Sequence, residues 1–279
     1  MEKYRLIPEQ LLREGITNSS FLHAPDPVTD TDVLLCHDPA YVHKLKSLSL
    51  SSSEIRRTGF PVSPELIQRE WIIAGGTVDA VRFAHQEGIA FNIAGGTHHA
   101  FPDYGEGFCL LNDQAIAAAS FIRDNPHKKV LIFDLDVHQG NGTARIFRDN
   151  PSVFTFSMHG KHNFPLNKET SDIDIELPDA CSDAEYLPLV EEYTTKLIDD
   201  MRPDLIFYLS GVDILDTDKL GRLGVSRQGC MERDRLVLKA CHRNAIPTVV
   251  CMGGGYSPRL ADIVEAHVQT YRVAASLYF

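Results

Sequence analysis

The chain has 279 residues, 43% of them hydrophobic and 23% charged, with a formal net charge of −11. That is enough apolar material for an ordinary core, and it excludes a disordered or low-complexity chain. The acidic balance argues against direct nucleic-acid binding, which runs on clustered Lys and Arg, and is compatible with a cationic ligand.

Six cysteines (Cys36, Cys109, Cys181, Cys230, Cys241 and Cys251) form no C-x-x-C pair, and several sit in apolar runs. They read as reduced, buried thiols of a cytosolic protein rather than a disulfide framework. No charged-then-apolar leader opens the sequence, and no apolar run reaches membrane-spanning length. The expectation is a soluble cytoplasmic protein.

In chain order, residues 47–53 (SLSLSSS) are the most loop-like stretch. Ser63 and Pro64 supply N-cap and first-turn signals for a helix running towards 86. Residues 89–94 read as a short strand stopping at Gly95 and Gly96, and 112–123 as a helix capped by Asn112 or Asp113. Strands follow over 129–137 and 152–158, then a helix over 183–201 with Leu187, Val190, Tyr193 and Leu197 at helical spacing, ended by Pro203. The remainder reads as strand 205–210, helix 232–244, strand 247–252 and helix 259–277. Strands alternating with long helices predict one three-layer α/β/α domain over 1–279, with a mainly parallel central sheet.

In such sheets ligands bind beyond the carboxyl ends of the strands. His98 with His99, Asp136 with His138, Asp213, and Tyr256 each follow a different predicted strand. Asp134, Asp136 and His138 are two residues apart, so strand alternation would turn all three to one face. Buried carboxylates and an imidazole need compensation, and a divalent metal on Asp136, His138 and Asp213 is the simplest. Three protein ligands with open positions mark a catalytic rather than a structural zinc. Taken singly, the competing explanation is helix capping or arginine pairing by the two aspartates, with His138 as a core residue. Gly140 stands where two-metal hydrolases on similar sheets carry an acid, which favours one metal.

Of the two adjacent histidines, one could be general base towards activated water and the other a charged partner or the acid for a leaving amine. Asp134 and Asn141 are suitably placed to orient them; Asn141 carries no charge, so its histidine should have the less raised pKa. Tyr256 follows Gly253, Gly254 and Gly255 and could donate to a developing oxyanion, or merely anchor a tight turn. Phosphate binding ranks low, since no G-x-G-x-x-G forms. Phe108 and Phe164 could wall a narrow channel, although most aromatic residues are simply core. Trp71 and the other histidines are assigned to packing or surface.

These segments together resemble the zinc-dependent histone deacetylase family, whose fold is shared with arginase. The matching motifs are 37–41 (HDPAY), 95–99 (GGTHH), 107–109 (GFC) with Asn112 and Asp113, 134–142 (DLDVHQGNG), 211–213 (GVD) with 218–221 (DKLG), and 253–256 (GGGY). The wording of 134–143 and 211–226 most resembles the class IV branch and its bacterial relatives. The resemblance implies zinc on Asp136, His138 and Asp213, with His99 as general base and His98 as its electrostatic partner. Asp134 would orient His98, and Asn141 would orient His99. Tyr256 would polarise the acyl carbonyl, Gly107, Phe108, Phe164 and Gly255 would form an acyl-lysine tunnel, and Leu220 would stand at its mouth. A potassium ion is also implied, held by Asp134, the backbones of Asp136 and His138, Ser157, and the Met158 carbonyl. Departures are Asn141, where many members have Asp, Leu166 in place of a usual Gly, and a late start that suggests a short form without the first strand. The implied activity is removal of an acyl group from N-acyl-lysine, using Zn²⁺ or alternatively Fe²⁺. The rivals are hydrolysis of an acetylpolyamine-like amine and non-catalytic binding of acyl-lysine.

Overall fold

A computed structural model describes residues 2–279. Among the described residues before 63, where the sequence reading named only the loop-like stretch 47–53, lie four α-helices: α1 (Lys3–Arg13), α2 (Asp30–Val33), α3 (Pro39–Lys46) and α4 (Ser52–Thr58), the last beginning inside that stretch. Their apolar stripes are too thin to read. On α1 only Ile7 and Leu11 continue the buried line begun by Lys3, and they pack on Met252, Val264 and Val268.

Then come α5 (Pro64–Glu87), β1 (Ile89–Asn92), α6 (Asp113–Asp124), β2 (Val130–Asp134), α7 (Asn141–Phe147), β3 (Val153–Gly160) and β4 (Ile173–Leu177). The chain closes with α8 (Asp183–Met201), β5 (Leu205–Leu209), α9 (Arg227–Arg243), β6 (Thr248–Cys251) and α10 (Leu260–Tyr278). Local chemistry fixes the ends of these elements. The Ser63 hydroxyl accepts from Leu66 N–H at the start of α5, and Gly88 closes that helix at φ 84°. Asn112, not Asp113, caps α6, accepting from Ala115 N–H at 3.0 Å.

The six strands form one sheet in the order β1-β6-β5-β2-β3-β4, and every neighbouring pair is parallel. Alternation along β2 sends Leu131 and Phe133 into one apolar layer, with Tyr186 and Val237 of α8 and α9, and Val130 and Ile132 into the other, with Ala115 and Ile116 of α6. Phe133 stacks on Phe156 of β3 with ring centroids 4.7 Å apart. Each such ring contributes about 1.5–3 kcal/mol by leaving water. All six cysteines are free and buried.

Several expected elements differ. α9 begins at Arg227 rather than 232, because the Ser226 hydroxyl caps it through Gly229 N–H at 3.0 Å. The edge strand β4 was not expected from the sequence; it is only partly buried and lacks a clean alternation. The expected strand 129–137 stops at Asp134, and the residues beyond it follow a different conformation. The sheet order still sets the site: loops leaving β1, β6, β5 and β2 emerge side by side at one edge.

Candidate active site

Past the end of β2, side chain to backbone bonds replace the strand ladder. Asp134 Oδ1 accepts from Asp136 N–H at 3.0 Å, and Asp136 Oδ1 accepts from His138 N–H at 3.0 Å. This stepwise capping, rather than pleat alternation, aims the side chains. Asp134 consequently turns to His98, whereas Asp136 and His138 turn to Asp213 on the β5 loop. Asp213 Oδ1 accepts from Val137 N–H at 3.1 Å, which ties the two loops together.

The ligand atoms of Asp136, His138 and Asp213 lie within 4.8 Å of one another, and all three residues are buried. His138 Nδ1 sits 3.1 Å from Asp136 Oδ1 and 3.2 Å from Asp213 Oδ2. Burial would lower the His138 pKa, but the two carboxylates raise it to about 10. Burial and the nearby Asp136 charge push Asp213 up to about 6. The cluster thus attracts positive charge strongly. Asp213 Oδ2 is buried and makes no hydrogen bond, its contact with the His138 nitrogen being ionic only. Two carboxylates and an imidazole in this arrangement fit a divalent cation such as zinc.

The tandem histidines follow β1 and pack ring to ring at 4.1 Å. His98 Nδ1 meets Asp134 Oδ2 at 2.6 Å, and His99 Nδ1 meets Asn141 Oδ1 at 2.7 Å. Burial opposes charge on both. The Asp134 carboxylate outweighs it at His98 and raises that pKa, whereas His99 has only a neutral amide. Burial, reinforced by the charges of His98 and His138, holds His99 well below the ordinary imidazole range. The histidine beside Asn141 is the less basic of the two.

Beyond β6, Gly254 N–H donates to Asp136 Oδ2 at 2.7 Å, and a Cβ at Gly254 would lie 2.6 Å from Asp213 Cγ. The glycine run is the floor on which both carboxylates rest. Tyr256 N–H donates to Asp218 Oδ2 at 2.6 Å, while Asp218 Oδ1 accepts from Leu220 and Gly221 N–H. One carboxylate thereby sets both the tyrosine and the Leu220 rim. Burial, then the Asp213 and Asp136 charges, raise the Tyr256 pKa, so its phenol remains a donor.

A cavity of about 320 Å³ is lined by His98, His99, Asp136, His138 and Tyr256, together with Gly107, Phe108 and Gly255. Phe164 stands edge-on to His99 at 4.9 Å, and Phe108 lies 6.3 Å from the Tyr256 ring. Phe108, Phe164 and Leu220 are exposed at the rim. Gly107, at φ 56°, is needed there: a Cβ would stand 2.6 Å from the His99 ring. Asp134 pairs in register with Ser157 of β3, whose hydroxyl bonds His159 Nδ1 at 2.9 Å; Met158 is fully buried beside it.

The sequence reading missed several contributors. Lys3 of α1 lines the cavity and donates to the Gly253 carbonyl at 3.3 Å. Glu70 lines it from α5, paired with Arg69 at 2.7 Å. Glu106 accepts from Asn141 Nδ2 at 2.6 Å. Buried Arg233 donates to the Gly211 carbonyl at 2.6 Å and the Ser210 carbonyl at 3.1 Å, behind Asp213. Only Asp218 lay within a quoted motif; the others carry no local pattern.

The family model for the histone deacetylase domain matches residues 1–271. The chain belongs to that family. It is 41% identical over 278 residues to an uncharacterized protein of Picosynechococcus, covering 100% of this chain and 93% of that one. It is 27% identical to histone deacetylase 2 of Arabidopsis thaliana, covering 96% of this chain and 71% of that one. Among solved structures, a histone deacetylase homolog from Aquifex aeolicus superposes with a TM-score of 0.81 at 21% identity, covering 98% of this chain and 77% of the other. An acetylpolyamine aminohydrolase from Burkholderia pseudomallei superposes at 0.80 with 19% identity, covering 99% and 90%. The fold is therefore the arginase/deacetylase-like α/β/α architecture. Family membership supports a hydrolase of the deacetylase superfamily. Among the described residues no helix is long and apolar enough to cross a membrane.

Proposed function

We propose that this chain is a single catalytic domain that removes an acyl group from the N-acyl-lysine of a protein or peptide, as a zinc-dependent member of the family close to its class IV branch. The observation that carries the reading is that Asp136 and His138, clustered with Asp213, line one cavity together with His99 and Tyr256. A Zn²⁺ held by those three ligands, or Fe²⁺ in its place, supplies Lewis-acid polarisation of a carbonyl and acidifies water. The chain's own groups do the remainder. His99, uncharged at neutral pH, accepts a proton from the attacking water at Nε2. His98, whose protonated form the Asp134 carboxylate favours, stabilises the negative charge that develops. The Tyr256 hydroxyl donates to the acyl oxygen as it becomes an oxyanion. An imidazolium then protonates the departing amine. Phe108 and Phe164 flank the path of the lysine stem, with Gly107 and Gly255 leaving it room and Leu220 at the mouth. A structural K⁺ on Asp134, Ser157 and the Asp136, His138 and Met158 backbones is part of the proposal, as is a cytoplasmic location, supported by the six free thiols.

Hydrolysis of acetyl- to myristoyl-lysine peptides, with an acetylated polyamine as a parallel arm, tests this reading. Activity that a chelator abolishes and zinc restores supports it. Turnover of the polyamine alone would move the substrate to small amines. Acyl-lysine binding without any turnover would make the chain a binder.

A further inference from the structure

Asn141 accepts from His99, yet an asparagine amide offers an acceptor at one end and a donor at the other, and nothing in His99 alone dictates which end it meets. The decision lies one residue further out. Asn141 Nδ2 is 2.6 Å from Glu106 Oε1, while Asn141 Oδ1 is 2.7 Å from His99 Nδ1. A carboxylate only accepts, so it claims the NH2 end and turns the oxygen towards His99. That oxygen can only accept, so the proton of neutral His99 must reside on Nδ1. The lone pair is left on Nε2.

We propose that Glu106 is a positioning residue for the His99 base, fixing the Asn141 amide and placing a negative charge behind it. The inference rests on the deacylase reading given above. Its placement is rigid: Cys109 N–H bonds the Glu106 carbonyl at 2.9 Å, and the next two N–H groups, of Gly107 and Phe108, bond the carbonyls of Arg57 and Thr58 at 3.3 and 2.9 Å. The same turn presents Phe108 at the rim, with φ 66°. Base orientation and one wall of the cavity are thus set by a single loop.

A tether that merely held the loop would not care about charge at position 141, and this separates the two roles. Glu106→Leu leaves the amide free to rotate, and kcat/KM falls roughly 10- to 100-fold, the usual loss when an orienting partner is removed. Asn141→Asp alone sets two carboxylates against each other and also lowers activity. Combined with Glu106→Gln it recovers, because the glutamine amide donates to the introduced carboxylate while that carboxylate faces His99. Recovery in the double variant supports the proposal; a double variant no better than Asn141→Asp overturns it. ¹⁵N NMR of the His99 ring gives a readout independent of turnover: the Nδ1–H tautomer in the native chain and a mixed population in Glu106→Leu. An unchanged tautomer overturns the proposal even in an active enzyme. Absence of deacylase activity in the native chain, with the tautomer shift intact, would overturn only the deacylase reading.

Discussion

Gly254→Ala isolates the packing of the two carboxylates from everything else in the site. Unlike Gly253 at φ 66° and Gly255 at φ 157°, Gly254 has no left-handed backbone, so alanine meets no conformational objection there. The objection is space. The new Cβ would stand 2.6 Å from Asp213 Cγ and 3.0 Å from Asp136 Oδ2. Carbon atoms prefer about 3.5–4.0 Å, and the Cβ would overlap Asp213 Oδ2 more severely still, so Asp213 must retreat by more than about 1 Å or the glycine run must move. Ligand atoms tolerate only about 0.2 Å of misplacement. Zinc affinity should fall at least about 100-fold, beyond the loss expected from a supporting residue. Overpacking should cost the fold only about 1–3 kcal/mol. Competition titration against a chromogenic chelator reads the affinity, and circular-dichroism melting reads the fold. A folded alanine variant that binds zinc as tightly as the native chain would refute the assigned ligand geometry.

On the proposed mechanism Tyr256→Phe removes one donor to the oxyanion; kcat should drop about 10²- to 10³-fold with zinc affinity unchanged, by steady-state kinetics and metal titration. Glu70 is buried, and desolvation, only partly offset by the half-exposed Arg69, lifts its pKa to about 7. Between the ordinary carboxylate value and 7 the unfolded chain has lost a proton that the native chain keeps, so stability declines as pH rises through that window and levels off above it. The decline is on the order of 3 kcal/mol, and Glu70→Gln should flatten it in urea melts taken across pH. Arg233→Ala leaves buried Asp234 without its ion-pair partner and strips donors from the Ser210 and Gly211 carbonyls; it should cost about 3–5 kcal/mol in urea denaturation.

The sheet was legible because each central strand is a short apolar run buried on both faces and bounded by polar punctuation. The helices before residue 63 were not, since α2, α3 and α4 are short and α1 offers a two-residue apolar stripe interrupted by Pro8. At the site, Asp136, His138 and Asp213 were visible by residue type after strand ends. The reason given for their convergence was incomplete: capping bonds beyond Asp134, not pleat alternation, aim them. Asp113, offered as a helix cap, instead accepts from the Gly96 and Thr97 N–H groups and so shapes the turn before the histidines. Glu106, Lys3 and Arg233 were illegible because their partners are distant in sequence, and no local pattern announces a contact made only in the fold.

The sealed cysteines give the protein a built-in clock. Burial raises every thiol pKa, so thiolate, the form that reacts with alkylating agents, is scarce while the native packing holds. The six are dispersed: among the N-terminal helices, on the rim turn, before α8, twice along α9, and on β6. Mass-resolved pulses of alkylation would therefore time the breathing of each region separately, with no engineered label.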